Sequence, residues 1–359
     1  MTDQTLEVTG GVDTHGETHH AAVVDRIGRH LADREFPATG TGYRQLLSWL
    51  SSFGTVRAVG VEGTGAYGAE LARTLRRTGL KVVEVDRPDR RTRRMKGKSD
   101  PIDAYAAAEA VASGRATGTP KSRDGIVEAV RTLRVVRRSA VKSRTQAINQ
   151  ARQLLVTAPE TPRAQLRGLT ADALAKACAR LRPGTDLADP AQAAKAALRR
   201  LGRRILALTE ETDELEAELK PLTTRAAPEL LALKGVGADV AGQLLATAGD
   251  NPDRLTSEAA FAHLCGAAPI PASSGRRDRH RLNRAANRAL HTIVLSRMRW
   301  DERTRAYVER RTGEGLTKKD IMRCLKRHGA REVYRILIKS LHTPHTGRDA
   351  TQSDLAEAA

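Results

Sequence analysis

The 359-residue chain carries 61 Lys and Arg against 42 Asp and Glu, a formal charge of +19, with 3% aromatic residues and three cysteines. That length allows two or three domains with real cores. The positive excess points to a polyanionic partner, most simply nucleic acid met through Arg–phosphate pairs rather than aromatic stacking platforms. Cys178, Cys265 and Cys324 are scattered, with no CxxC and no Cys/His cluster, which argues against structural zinc and against a disulfide scaffold. No apolar run of about 18 residues is present, so neither a membrane span nor a signal peptide is expected, and the expected location is the cytoplasm.

The first third reads as a small α/β unit. Leu6 to Asp13, His19 to Asp25 and Arg29 to Phe36 are predicted strands, the last two joined by a turn at Arg26-Ile-Gly28. Thr41 is placed as the cap of a helix reaching Ser52, with Leu46, Leu47 and Leu50 on one face. Val56 to Glu62 is a fourth strand, followed by Gly-Thr-Gly and a helix to Thr78, and Lys81 to Asp86 is a fifth. An alanine-rich helix then opens at Lys98-Ser-Asp-Pro-Ile-Asp103, with Pro101 where a first turn tolerates it. Three antiparallel strands followed by α-β-α-β-α is the element order of an RNase H-like fold.

That order has chemical consequences. It puts Asp13 in the first strand and Glu62 at the end of the fourth, side by side. Asp100 and Asp103, three apart at a helix mouth, leave one helix face. Four converging carboxylates are hard-cation ligands, suited to Mg²⁺ or Mn²⁺ rather than zinc. Two such ions would clamp the attacking and leaving oxygens of a phosphodiester. Each acid also has a plainer reading as a helix cap or strand end. His15, His19 and His20 invite a metal argument, but without a closed ligand set they read as solvated histidines of strand edges and loops. Between Asp86 and Lys98 seven cations face two acids, and Arg90, Arg91, Arg93, Arg94, Lys96 and Lys98 are candidate phosphate contacts leading into the acidic site.

Ile126 to Val156 lacks Gly and Pro and predicts one long helix, whose Arg131, Arg134, Arg137, Arg138, Lys142 and Arg144 form a candidate nucleic-acid face. Pro159, Pro162 and Pro183-Gly184 break the next stretch into shorter pieces. Leu198, Leu201, Ile205, Leu208, Thr212, Leu215, Leu219 and Leu222 then recur at alternating spacings of three and four, a heptad seam. The seam serves either a dimerisation coiled coil or a hairpin against the 126–156 helix. Glu229 to Ala246 reads as helix, Gly-Val-Gly turn and helix, a helix-hairpin-helix in which Gly235 and Gly237 would let backbone amides meet a DNA phosphate. After Cys265, a Pro-Ile-Pro-Ala-Ser-Ser-Gly loop precedes Arg276, Arg277, Arg279, Arg281 and Arg284. A serine lined by arginines can attack a phosphodiester, or it can simply form a turn beside a DNA-binding strip. Trp300, Tyr307 and a helix from Lys318 to Leu341 are expected to complete a helical core, followed by a polar tail.

In this order, Gly11-Val-Asp-Thr-His, Val61-Glu-Gly-Thr-Gly-Ala-Tyr, Lys98-Ser-Asp-Pro-Ile-Asp-Ala, Lys234-Gly-Val-Gly and Cys265-Gly-Ala-Ala-Pro-Ile-Pro-Ala-Ser-Ser-Gly-Arg resemble the motifs of the IS one-ten insertion-sequence transposases. The resemblance implies a RuvC-like domain over 1–118 with Asp13, Glu62, Asp100 and Asp103 as its metal site. It further implies a helical coiled-coil arm over 119–225 and a mostly helical transposase domain over 226–343; the small, polar tail over 344–359 is expected to be disordered. Ser274, with Ser273 as the alternative, is implied to be a nucleophile that forms a phosphoserine link to DNA. Implied partners are donor and target DNA, a noncoding bridge RNA that guides the enzyme, and further copies of the chain, as dimers pairing into tetramers. Relatives carry a short glycine-containing insert that is missing within Arg281-Leu-Asn-Arg-Ala-Ala-Asn-Arg-Ala289, which implies a shortened junction beside Ser274. The competing readings are a RuvC-like junction nuclease that uses water and a non-catalytic basic nucleic-acid-binding protein.

Overall fold

The structure, a computed structural model, describes residues 6–85, 99–268 and 284–342. The basic loop bearing Arg90, Arg91, Arg93, Arg94, Lys96 and Lys98 lies outside the described residues, as do Ser273, Ser274, Arg276, Arg277, Arg279, Arg281 and the tail over 344–359. The described residues up to Gly125 form one compact unit together with Gly249–Thr256; Ile126–Ala248 and the residues from Ser257 onward form another. Gly249–Thr256 joins the first unit through Asn251. Its side-chain amide donates to the Pro120 carbonyl at 2.9 Å, and its carbonyl oxygen accepts from the Ser122 amide at 2.9 Å.

The first unit runs β1 (Glu7–Thr14), β2 (Thr18–Asp25), β3 (His30–Pro37), α1 (Gly40–Ser51), β4 (Thr55–Glu62), α2 (Ala69–Arg77), β5 (Val82–Val85) and α3 (Asp100–Ala112). Its sheet has the order β3-β2-β1-β4-β5. β2 is antiparallel to β1 and β3, while β4 is parallel to β1 and β5. This is the mixed α/β sheet expected from the element order, consistent with a RuvC-like fold.

Strand alternation sends successive side chains to opposite faces. Val8, Val12, Val59 and Val61 go to one face, where they are buried with Leu46 and Leu50 of α1 and Leu71 and Leu75 of α2. The other face carries Gly11 of β1 and Gly60 of β4, which are register partners. α3 lies over these two glycines with Ala104, Ala107 and Ala108 buried. A Cβ on Gly11 would stand 2.2 Å from the Ala104 carbonyl oxygen and 2.2 Å from the Ala108 amide nitrogen; one on Gly60 would stand 2.7 Å from the Ala107 carbonyl. Helix backbone therefore rests almost directly on sheet backbone, and only glycine permits the contact. The cap of α1 is Thr39, not Thr41. Thr39 has the extended backbone a cap requires and its hydroxyl accepts from the Gly42 amide, whereas Thr41 already lies inside the first turn.

In the second unit the expected long helix is α4 (Ile126–Thr157), and the proline-broken stretch forms α5 (Glu160–Leu166) and α6 (Ala171–Arg180). The heptad seam lies on α7 (Pro190–Ala226), whose Leu198, Ile205, Thr212, Leu215 and Leu219 are buried. Leu198 and Ile205 share a core with Ala147 and Ala151 of α4, so the seam closes a hairpin within the chain. Then come α8 (Pro228–Leu231), α9 (Ala238–Ala248), α10 (Glu258–Leu264), α11 (Arg284–Trp300), α12 (Glu302–Gly313) and α13 (Lys318–His342). Leu244, Leu245, Phe261, Leu290 and Ile293 are fully buried in this part. The expected helix from Lys318 is present, but Trp300 is not core. It stands 62% exposed at the last residue of α11, with the Arg299 guanidinium 4.7 Å from its ring centroid.

Candidate metal centre

The site begins with how β1 and β4 end. Val12 pairs with Val61, so Asp13 and Glu62 come level one residue later. The Thr14 hydroxyl donates to the Glu62 carbonyl at 2.8 Å and ties the two strand ends together. Gly63 then takes φ +71°, a left-handed turn that favours glycine and stops β4 at Glu62. Asp13 and Glu62 sit two residues beyond Gly11 and Gly60, so by alternation they share the face on which α3 lies. The glycine pair that lets α3 approach is thus what brings its first turn to the acids.

α3 begins with Asp100, Pro101 occupies its first turn, and the Asp103 amide donates back to the Ser99 carbonyl at 3.1 Å. Asp103 is buried at 2% exposure and Asp13 at 7%, while Asp100 and Glu62 are partly exposed. A buried carboxylate is costly unless charge or hydrogen bonds compensate it, and a divalent cation is an effective compensator.

One donor of the cluster was not expected. Among the described residues, the group whose ligand atoms all lie within 4.8 Å of one another is Asp13, His15 and Asp100. His15 Nδ1 is 3.8 Å from an Asp13 carboxylate oxygen. Glu62 and Asp103 belong to the same end of the sheet and the same helix mouth, but not to this tight triad. Two carboxylates and an imidazole fit a divalent cation by their chemistry. The sequence carries only a weak signal for it: His15 lies in the turn just past β1, two residues after Asp13, with no ligand spacing of its own.

The other two histidines of the hairpin behave differently. His19 is fully buried, its ring stacked on Tyr43 at 5.5 Å between centroids. Burial holds its pKa below the ordinary value, with the Thr18 carbonyl hydrogen bond opposing. His20 contacts the Asp33 carboxylate at 2.7 Å.

The cationic face expected on α4 is partly consumed by packing. Arg134 reaches Asp239 and Gln243 on α9, both at 2.9 Å. Arg137 bridges Glu216 at 2.5 Å and Asp239 at 3.1 Å, and Arg131 pairs with Glu128 at 2.6 Å. Only Arg138 and Lys142 of that set are exposed; the others are half-buried. In the Gly-Val-Gly turn, Gly235 takes φ +86°, so glycine is required there, whereas a Cβ on Gly237 would meet nothing within 4 Å. On either side of the segment bearing Ser273 and Ser274, the Asn287 side-chain amide donates to the carbonyls of Cys265 at 3.3 Å and Gly266 at 2.8 Å. Lys326 in turn donates to the Asn287 carbonyl oxygen at 3.1 Å. Arg284 is exposed at the start of α11.

Comparison with known proteins places these features. Residues 10–158 match the model of the IS110 DEDD transposase domain, described as a transposase. Residues 227–309 match the transposase model of the IS116/IS110/IS902 family. A curated relative from Streptomyces coelicolor, named "Mini-circle putative transposase for IS117", is 27% identical over 331 residues, covering 77% of this chain and 80% of its own length. The first model spans the whole acidic site and the second spans the turn at Gly235 and both flanks of the serine loop. The chain belongs to the IS110 family of transposases.

Proposed function

We propose that this transposase cuts and rejoins DNA with a divalent ion, Mg²⁺ or Mn²⁺, held by Asp13, Glu62, Asp100 and Asp103, and with Ser274 as nucleophile. The observation that carries the metal part is the meeting of Asp13 and Asp100 at a strand end and a helix mouth, ligand atoms within 4.8 Å. A bound ion supplies charge neutralisation on the phosphoryl oxygens. The protein groups do the rest. Asp13 and Asp103, both buried, fix where the phosphate is presented, because buried carboxylates cannot wander with solvent. The Ser274 hydroxyl forms a P–O bond, the bond from phosphorus to the leaving deoxyribose oxygen breaks, and the proton passes to that oxygen. Arg276, Arg277, Arg279, Arg281 and Arg284 stabilise the charge that develops on phosphorus. Ser273 is the alternative nucleophile.

Arg90, Arg91, Arg93, Arg94, Lys96 and Lys98 are assigned to the DNA backbone entering the acidic site, and the turn at Gly235 and Gly237 to a further phosphate. A noncoding bridge RNA supplies target choice, and dimers pair into tetramers so that acids and serine of different copies complete one site. The net charge of +19 accords with two nucleic-acid partners.

The test uses the full chain, co-expressed with its flanking noncoding DNA and incubated with end-labelled donor DNA. Asp13→Asn and Asp100→Asn are expected to lower strand cleavage on the order of 10³-fold, the loss of several kcal/mol of charge stabilisation. Ser274→Ala is expected to abolish the covalent protein–DNA adduct seen on a denaturing gel. Adduct that survives in Ser274→Ala but not in Ser273→Ala moves the role to Ser273. Free DNA ends with no adduct in the unsubstituted protein would mean that water attacks and the serine is structural. Absence of a copurifying RNA with complementarity to the target would remove the guide.

A further inference from the structure

We infer that His15 is a ligand of the ion at the acidic site, through Nδ1, and that it tilts the site toward Mn²⁺ over Mg²⁺. This rests on the metal reading above and adds to it a nitrogen donor that the four-carboxylate set lacks.

Geometry comes first. Ligands around one Mg²⁺- or Mn²⁺-sized ion stand about 3 Å apart when adjacent and about 4.2 Å when opposite, from bond lengths near 2.1 Å. The Nδ1 of His15 lies 3.8 Å from the Asp13 oxygen, between those limits, and the Asp100 oxygen completes a triad within 4.8 Å. A surface ion pair alone would draw histidine and aspartate together without needing the third carboxylate. Here the imidazole faces two acids from two different elements, one of them the helix mouth.

Positioning comes second. His15 is the first residue of the β1–β2 turn, and its amide donates to the Thr18 carbonyl at 3.1 Å, which closes the turn. Thr14, just before it, is in register with His19 and bonded to the end of β4. The backbone beneath the imidazole is thus held from both sides, although the side chain is 46% exposed and can be approached by an ion from solvent. The neighbouring histidines are committed elsewhere, His19 to the stack on Tyr43 and His20 to Asp33.

Chemistry sets the selectivity. Mg²⁺ is bound by carboxylates and keeps its waters, whereas imidazole is a better ligand for the later first-row ions, and Mn²⁺ accepts carboxylate and imidazole together. A neutral imidazole bound through Nδ1 carries its proton on Nε2, toward solvent.

The experiment uses the full chain freed of metal and titrated with Mn²⁺ alone. Loss of the free-ion electron paramagnetic resonance signal reads binding, and pulsed measurements read coupling to a directly bonded ¹⁴N. The expected result is an imidazole ¹⁴N coupling in the unsubstituted protein that vanishes in His15→Gln. Mn²⁺ affinity should fall on the order of 10-fold, and competition with Mg²⁺ should show the preference for Mn²⁺ collapsing. His15 is exposed, so circular dichroism should show the variant folded; the coupling in the unsubstituted protein needs no variant at all. Mn²⁺ bound with no ¹⁴N coupling, or a coupling that persists in His15→Gln, overturns the inference and leaves the acidic site intact. No Mn²⁺ binding by the unsubstituted protein, or binding unchanged in Asp100→Asn, overturns the acidic site itself.

Discussion

The two faces of the first unit's sheet are built on opposite rules. On one, Val8, Val12, Val59 and Val61 meet Leu46, Leu50, Leu71 and Leu75, large side chains filling space between backbones. On the other, Gly11 meets the backbone of α3 at Ala104 and Ala108, and Gly60 meets the Ala107 carbonyl. The first arrangement supplies stability, because buried apolar area is what it accumulates. The second buries less, but it fixes a distance. Asp100 and Asp103 can reach Asp13 and Glu62 only if α3 lies that close.

Gly11→Ala attacks that distance and carries the largest expected effect. Its new Cβ would sit 2.2 Å from two backbone atoms of α3, and neither can rotate away. The helix must lift, at a cost of about 3 kcal/mol or more. Mn²⁺ affinity is expected to vanish with it, since the Asp100 carboxylate leaves with the helix. Thermal unfolding and Mn²⁺ titration together check both parts. A variant with unchanged metal affinity would mean that the glycine contact does not position the acids.

Leu50→Ala breaks the other face. Leu50 is fully buried against that sheet face, and truncation leaves a cavity worth about 3 kcal/mol. The contrast lies in the metal site. Below the melting transition, Mn²⁺ affinity should stay within about 3-fold of the unsubstituted protein, because the cavity opens on the side away from α3. Urea denaturation reads the first effect and Mn²⁺ titration the second.

The large-residue face is easy to read in the sequence. Strand alternation and helical spacing place Leu46, Leu50, Val12 and Val59 without knowledge of contacts. The acids are legible for a related reason, since the element order alone brings β1 beside β4. The glycines carry a weaker signal: Gly11 and Gly60 look like strand-weakening residues until they are seen in register under a helix. His15 is hard to single out because one turn histidine carries no ligand spacing of its own; its meaning depends on Asp100, far away in the chain. The seam at Leu198 to Leu219 is legible as a seam but not as to its partner, because heptad spacing is the same for a hairpin and for a dimer. Thr39 and Thr41 compete for the start of α1 because both are threonines beside glycine, and only the backbone angles separate cap from first turn.

The large-residue face also holds His19, which makes it sensitive to acid. Burial keeps the folded His19 pKa below 6.5, so the unfolded chain takes up the proton first as pH falls. Its contribution to stability is present above pH 6.5 and is lost as the pH drops through the folded pKa. Asp25 works in a lower window. The Arg29 side chain holds it below its ordinary 3.8, so its contribution is lost only as pH falls through that range. Melting temperature should therefore decline from pH 7.5 to 5.5, and His19→Gln should flatten that decline while leaving the loss below pH 4 in place. A slope unchanged in His19→Gln would place the titrating group elsewhere.

The smallest effect comes from the residue next to the most sensitive one. Gly10 precedes Gly11 and faces the opposite way, toward α1, where a new Cβ would stand 3.1 Å from a Leu50 methyl carbon. That contact is tight but it is with a side chain, which can yield by a few tenths of an ångström. Against the strain stands a gain of about 0.5–1 kcal/mol from giving a strand glycine a side chain and fewer unfolded conformations. The two terms nearly cancel, so Gly10→Ala should change stability by less than about 1 kcal/mol and leave Mn²⁺ affinity unaltered. Set beside Gly11→Ala, the same methyl group one residue along the chain tests the comparison directly. If both variants lose metal, the site depends on glycine-rich flexibility of β1 as a whole. If only Gly11→Ala does, it depends on the approach of α3 to one face, and the acids are placed by a backbone contact rather than by their own strand.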